Sequence, residues 1–493
     1  MKVRDYNHSR PLDVHRWSDY SEVNPFINKL YDNYIKNVSE NTNIQKKHLK
    51  LIILDLFVAW IDDPELNIGV HMHDSAYSDG SIFNKGKSRY NELNIKVSTI
   101  KIVHRLRDLG FIGFKKGYEG SVEFAPRVSR IWIKDKLIKL FNNAAFSYFD
   151  INYSRDREVI VLRNEDKVDI EYEDNDSIQN MRKVVQDYNE LLSRTFIDIP
   201  ELNIPRIELK EKKQRRLKNK PIYVNISHHD KFTRRVFNNS SFEEGGRFYG
   251  GWWQRVDGSH RERIRLNNLP TVEIDFSALH IILAYTQIGK DYWKLTNKDP
   301  YRAPVNGVKN PEHLRNINKL FFLLSLNASN ETSLFKAFRS ELDYKEYPYK
   351  FPDRVLRKLL EDIRSIHPQI SHLICSGAGL RLMSLDSQIV EYIIKDFIKS
   401  NTPILTVHDS FVVPFGQEDR LDKLMKEAFF TITKQEKVNI KYNQNITEKA
   451  LYASQHQDRN FYLDTISFLK EGNQSKGYSN RLKQHNRWID LKI

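Results

Sequence analysis

Apolar and polar positions along this chain follow two periods, and the switches between them predict its elements. Near the N-terminus, Leu49, Ile52, Ile53, Leu56 and Phe57 recur at helical spacing within Gln45 to Ile61, with Pro64 just beyond. A second helix is expected from a cap at Ser98 through Ile102, Val103, Leu106 and Leu109, stopping at Gly110. Two short strands should follow, Phe111 to Phe114 and Ser121 to Phe124, joined by Lys115-Lys116-Gly117-Tyr118-Glu119-Gly120. Ser177 to Phe196 reads as a helix. Further on the period falls to two: Val272, Ile274 and Phe276 alternate with Glu273 and Asp275, the pattern of a half-buried strand, and an apolar helical run, Ala278 to Tyr285, comes next. The runs Ile404 to Val407 and Phe411 to Val413 flank His408-Asp409-Ser410 and predict a β-hairpin with an acid at its tip. Gln417 to Phe429 predicts an amphipathic helix, and Glu471 to Arg487 is polar enough to be expected loosely ordered.

Candidate chemistry sits where strands end. Taken alone, Asp275 suits a helix cap and Asp409 a turn. Together they also suit a pair of metal ions. Two Mg²⁺ ions roughly 3.5–4 Å apart clamp the attacking and leaving oxygens of a phosphoryl displacement, and need hard oxygen ligands on rigid backbone. Between the two acids, Arg315 and Lys319 are four residues apart in an apolar helical segment, Leu314 to Ala328, so both lie on one face within a turn. Asn327, eight residues past Lys319, lies near that face. Arg381 and Gln388, seven apart, also share a helix face.

These segments resemble those of the family A DNA polymerases and of the single-subunit, bacteriophage-type RNA polymerases. Thr271 to His280 is similar to their motif A, Leu314 to Ala328 to motif B and Leu405 to Pro414 to motif C, in the family's order. The resemblance extends from about Phe237 to Gln435. It implies an α+β fold with a right-hand palm and fingers in the C-terminal half. It implies a template-directed nucleotidyltransferase in which Asp275 and Asp409 are catalytic and bind two Mg²⁺ ions, Mn²⁺ being an alternative, with Phe276 beside them in the metal site. Arg315 and Lys319 would hold the nucleoside triphosphate, with His280 and Asn327 lining the sugar pocket. Arg247, in the glycine-rich stretch Gly245 to Gln254, would hold the primer-template with Arg381, Gln388 and His408. The chain departs from the pattern at three places. Asn327-Ala328 replaces the Tyr-Gly that ends motif B. His408-Asp409-Ser410 matches the RNA polymerases, whereas the DNA polymerases mostly have His-Asp-Glu. His280 stands where DNA polymerases carry a bulky Glu and RNA polymerases a small residue. The bulk of His280 favours deoxynucleotides, and Ser410 keeps an RNA polymerase or primer-making enzyme open.

The helix, glycine stop and basic hairpin near residue 100 look like a winged helix, with Thr99, Lys101, His104, Arg105 and Arg107 as polar candidates for a DNA groove and Lys115 and Lys116 on the wing. Five segments follow: an N-terminal extension 1–40, a winged-helix-like domain 41–150, an α-rich connector 151–236, palm and fingers 237–470, and a polar tail 471–493. The connector carries acids between Asn164 and Asp176 and a basic run from Lys210 to Lys220. Asp169-Ile170-Glu171 has the form of an exonuclease motif, but lacks further spaced carboxylates, so no proofreading is expected. The polymerase would serve replication or repair in a mobile element; a winged-helix DNA-binding replication initiator with an inactive palm is the reading of another class, and a nuclease is a weaker one.

Composition shifts this picture little. With 78 Lys and Arg against 64 Asp and Glu, the net charge of +14 favours a polyanionic partner. A single cysteine, Cys375, excludes an intramolecular disulfide and a cysteine-based zinc site. The first residues have no apolar signal core, and no apolar run reaches the ~20 residues that span a bilayer, so a cytoplasmic protein with no membrane partner is expected. Oligomeric state stays open.

Overall fold

The chain, seen in a computed structural model, is described over residues 4–36, 41–77, 88–120, 126–209, 222–443 and 474–491. Helices and strands are mixed, in keeping with an α+β fold. The chain divides into two compact units, and neither is continuous in sequence. The first comprises Met1–Glu158, Asp198–Lys231 and Asn473–Ile493; the second comprises Val159–Ile197 and Phe232–Gly472.

In the first unit, strands β1 (Ser9–Pro11), β2 (Asn67–Val70), β3 (Ile112–Lys115) and β4 (Ser129–Ile133) form one sheet in the order β1-β2-β4-β3. Ile68, Ile112 and Ile131 point to a core shared with helices α1 (Thr42–Asp62) and α2 (Ser98–Asp108). α2 buries Ile102, Val103 and Leu106 and leaves Lys101 and Arg105 exposed. Two expectations change here. Ser98 is the first helical residue, not the cap, because its hydroxyl bonds His48 Nδ1 at 2.9 Å. Thr99 is fully buried against the same imidazole and is not a groove contact. β3 pairs with β4, residues 129–133; the expected strand Ser121 to Phe124 lies outside the described residues, as does the basic run Lys210 to Lys220. Lys115 and Lys116 are exposed at the end of β3.

The polar C-terminal stretch is a helix, Lys476–Asp490, and not loosely ordered chain. Tyr478, His485 and Trp488 recur on one face and are buried. Trp488 stacks on Phe149 with ring centroids 5.2 Å apart, and Arg481 pairs with the buried Asp198 at 2.7 Å.

The second unit is built on two sheets. One joins β5 (Ile160–Leu162), β6 (Thr233–Asn238) and β7 (Ser241–Gly250). β7 bulges at Gly245 and Gly246, both at positive φ, and a Cβ on Gly246 would come within 2.7 Å of the Phe237 ring. The other sheet is centred on β8 (Leu269–Phe276), flanked by the β9 (Leu405–Val407)–β10 (Ser410–Pro414) hairpin and by β11 (Ile440–Asn443). Of helices α3 (Asp176–Arg194), α4 (Leu279–Gln287), α5 (Pro311–Asn327), α6 (Gly379–Lys399) and α7 (Glu418–Thr433), α3, α6 and α7 pack on the sheets, α6 on β7, while α4, α5 and α7 pack on α6. Trp252 and Trp253, after β7, are fully buried, and Trp253 Nε1 donates to the Thr406 carbonyl at 3.1 Å. The glycine-rich stretch therefore serves partly as core. Asp169 pairs with Arg163 at 2.8 Å.

Candidate functional site

β8 and the hairpin meet in antiparallel register, Ile274 opposite Phe411 and Asp275 opposite Ser410. Asp409 is the residue before Ser410, so the pairing brings the two acids into one neighbourhood. The hairpin turn is two residues long, with Val407 opposite Ser410 and His408 at φ 60°, the positive value that right-twisted two-residue turns favour. Burial, then the like charge of Asp409, push the Asp275 carboxyl up to about 7, while Lys319 and Lys441 oppose the rise. A carboxyl made costly to ionise, set beside a second carboxylate, forms a set of hard donors that a divalent cation relieves. That chemistry fits the ions implied by the sequence. Phe276 closes β8 with its ring buried, leaving only its backbone carbonyl as a donor. Among the described residues no group of three or more His, Cys, Asp or Glu side chains stands ready for a metal.

The nearest further carboxylate on the strand is otherwise engaged. Glu273, two residues before Asp275 on the same face of β8, accepts both arms of Arg261 at 3.0 Å and the Ser410 hydroxyl at 2.7 Å. Ser410, which replaces the Glu of the DNA polymerases, thus ties the hairpin to Glu273.

Behind the two acids lies a group that the spacing did not single out. Asp386 on α6 is fully buried and receives Arg247 Nε at 2.7 Å. Arg247 also donates to His280 Nε2 at 3.0 Å. Burial pushes the Asp386 carboxyl up to about 6, Arg247 opposing and Asp409 adding to the rise, and its Oδ1 has no hydrogen-bond partner. Burial, then Arg247, hold His280 down to about 4, so its imidazole is neutral and accepts. Burial works against Arg247, but Asp386 and Asp409 outweigh it and keep the guanidinium charged. Arg247 is therefore turned inward, with its side chain 12% exposed.

The α5 helix starts at an Asn310 cap with Pro311 in its first turn. Lys319 is exposed, and its charge acts on both Asp275 and His280. Arg315, one turn earlier, pairs with Asp299 at 2.6 Å and sits 5.4 Å over the ring of Tyr301. Tyr301 is buried, and burial and then Asp409 raise its hydroxyl while Arg315 opposes. It brings an aromatic ring to the acids, although it lies before α5 and not at the end of motif B. Asn327 sits apart. Eight residues beyond Lys319, about 12 Å along the helix axis, its amide donates to the Leu323 carbonyl at 2.8 Å. A Cβ on Gly379 would reach 2.1 Å from its Oδ1. Arg381 and Gln388 are both exposed on α6, and the exposed His408 has its ring edge-on to Tyr249 at 6.1 Å.

No family model matches the chain, and no curated protein matches it. Among solved structures it is similar to the POL domain of Pol1 from M. smegmatis, in complex with DNA primer-template and dNTP, at 15% identity and a TM-score of 0.25. The match covers 43% of this chain and 47% of that one, so the chain spans about half the length of that domain. A likeness this slight establishes neither family nor activity. Among the described residues no helix is long and apolar enough to cross a membrane.

Proposed function

We propose that the chain is a template-directed nucleotidyltransferase, a DNA-dependent DNA polymerase of the family A type without proofreading. The observation that carries this reading is the pairing of β8 with the β9–β10 hairpin, which joins Asp275 and Asp409 under the positive charge of Lys319. In this reading Asp275, Asp409 and the Phe276 carbonyl hold two Mg²⁺ ions. When bound, the ions neutralise the charge that builds on the transferring phosphoryl group. Lys319 and Arg315 hold the triphosphate, and Arg315 must leave Asp299 to do so. His280, pinned by Arg247, keeps its bulk against the sugar and favours deoxynucleotides. Arg381, Gln388 and His408 are free to meet a primer-template; Arg247 acts on it only through His280 and Asp386. Lys101, Arg105, Lys115 and Lys116 supply a DNA contact in the first unit.

Extension of a labelled primer on DNA and RNA templates, with deoxynucleotides or ribonucleotides, tests the reading against Asp275→Ala. Template-dependent product from the native chain and none from the variant is expected; no product in any combination defeats it. The second reading, an RNA polymerase or primer-making enzyme, is favoured by Ser410 in place of a motif C glutamate, and ribonucleotide product without a primer would establish it.

A further inference from the structure

We propose that the outer face of the first unit's sheet binds single-stranded nucleic acid, through aromatic rings interleaved with unpaired cations. The alternation that sends Ile131 and Ile112 to the core sends Arg130, Trp132, Gly113 and Lys115 to the other side, where register sets Trp132 opposite Gly113 and Arg130 opposite Lys115. Any Cβ at Gly113 would come within 2.1 Å of the indole, so the glycine lets Trp132 lie flat on the strand. Tyr6 adjoins it, ring centroids 5.6 Å apart. Cations sit on these rings: Arg4 lies 5.2 Å over Trp132, and Arg127 bridges Tyr6 at 5.6 Å and Tyr118 at 4.9 Å.

The charges on this face are unmatched. Other arginines of the unit meet acids: Arg10 and Arg16 meet Asp55, Arg206 meets Asp63, and Arg481 meets Asp198. Here, among the described residues, Arg4, Lys115, Arg127 and Arg130 have no carboxylate partner. Arg4 donates to the Pro64 and Glu65 carbonyls, and Arg130 to those of Tyr6 and Val128. The buried Nε of Arg127 has no hydrogen-bond partner. Burial, then the like charge of Arg127, depress Arg130. A polyanion would relieve that repulsion by pairing phosphates with the cations. Unpaired bases, which expose their faces, would stack on the rings and guanidinium planes, whereas duplex bases do not. This surface shares Lys115 with the DNA contact proposed above but excludes Lys101 and Arg105 of α2, and the inference holds whether or not the second unit polymerises.

The test uses the full chain with a fluorescein-labelled oligo(dT) 15-mer, the same strand in duplex, and a 5-iodouracil version for photo-crosslinking. Lys115→Glu/Arg127→Glu should weaken single-strand binding at least tenfold. It should flatten the slope of log K against log salt by about 1.4, two phosphate contacts at ~0.7 each. Crosslinks should map to Tyr6, Tyr118 or Trp132, which separates this face from any strand held by the second unit. Tyr118→Ala, at an exposed ring, repeats the test with little risk to folding. Crosslinks confined to the second unit, equal binding of duplex at this face, or retention by phosphatidylserine vesicles without oligonucleotide binding would each overturn the proposal.

Discussion

Replacing Asp275 with asparagine removes a carboxyl that folding makes hard to ionise, so the variant should be more stable than the native chain when divalent metal is absent. In the fold this group titrates near 7, against an ordinary 3.8, because it is partly buried beside Asp409. At ~1.4 kcal/mol per pH unit that gap is worth up to about 4 kcal/mol, and residual water at the partly buried carboxyl lowers it to a few kcal/mol. The sign follows from proton counts. The folded state holds a proton that the unfolded state has released, so this stabilisation is complete below pH ~4 and is lost as pH rises through 7. In EDTA, urea midpoints of native and Asp275→Asn chains should therefore converge near pH 4 and separate by pH 8, with the variant the more stable. Millimolar Mg²⁺ should then raise the native midpoint alone; for a ligand at ten times its Kd the gain is about 1.4 kcal/mol. A native chain at least as stable as the variant at pH 8 in EDTA, or equal Mg²⁺ stabilisation of both, would refute the paired-acid site.

Other substitutions probe the supporting shell. Asp386→Asn leaves the Arg247 guanidinium buried without its counter-charge and should cost about 3–5 kcal/mol by chemical denaturation, while Asp386→Leu combined with Arg247→Leu should cost less than either alone. Ser410→Ala removes one of three hydrogen bonds to Glu273 and should lower stability by about 1 kcal/mol at constant m-value, with primer extension reduced less than by Asp409→Ala. His280 titrates near 4 in the fold against 6.5 ordinarily, so the unfolded chain takes up a proton first and stability falls as pH drops from 6.5 to 4. His280→Asn should flatten that window in an acid-unfolding series. Lys319→Glu should raise the KM for nucleotide and push the Asp275 carboxyl higher still, readable as weaker Mg²⁺ binding at pH 7.

The two acids were legible in the sequence because their signals are local. A period-two strand ends at Phe276, and two apolar runs close on His408-Asp409, so hairpin and strand follow without knowledge of the rest. What anchors them is not local. The register that sets Asp275 opposite Ser410 also delivers the Ser410 hydroxyl to Glu273, and no spacing within either segment encodes that pairing. Arg247 stood in a glycine-rich stretch whose resemblance implied a primer-template contact; the bulge at Gly245 and Gly246 and the buried Asp386 turn it inward. The sequence did hold one neglected sign. Leu382, Asp386, Ile389 and Ile393 fall at steps of four, three and four, so Asp386 lies on the apolar stripe of its helix, where an acid is either costly or paired. Tyr478, His485 and Trp488 at steps of seven and three were a like sign in a stretch that composition alone marked as loose. The same test explains the sheet face of the first unit. Arg10, Arg16 and Arg481 of the same unit each meet a buried carboxylate, so a cluster of cations without carboxylate partners among the described residues, beside half-exposed rings, is where an outside charge is missing.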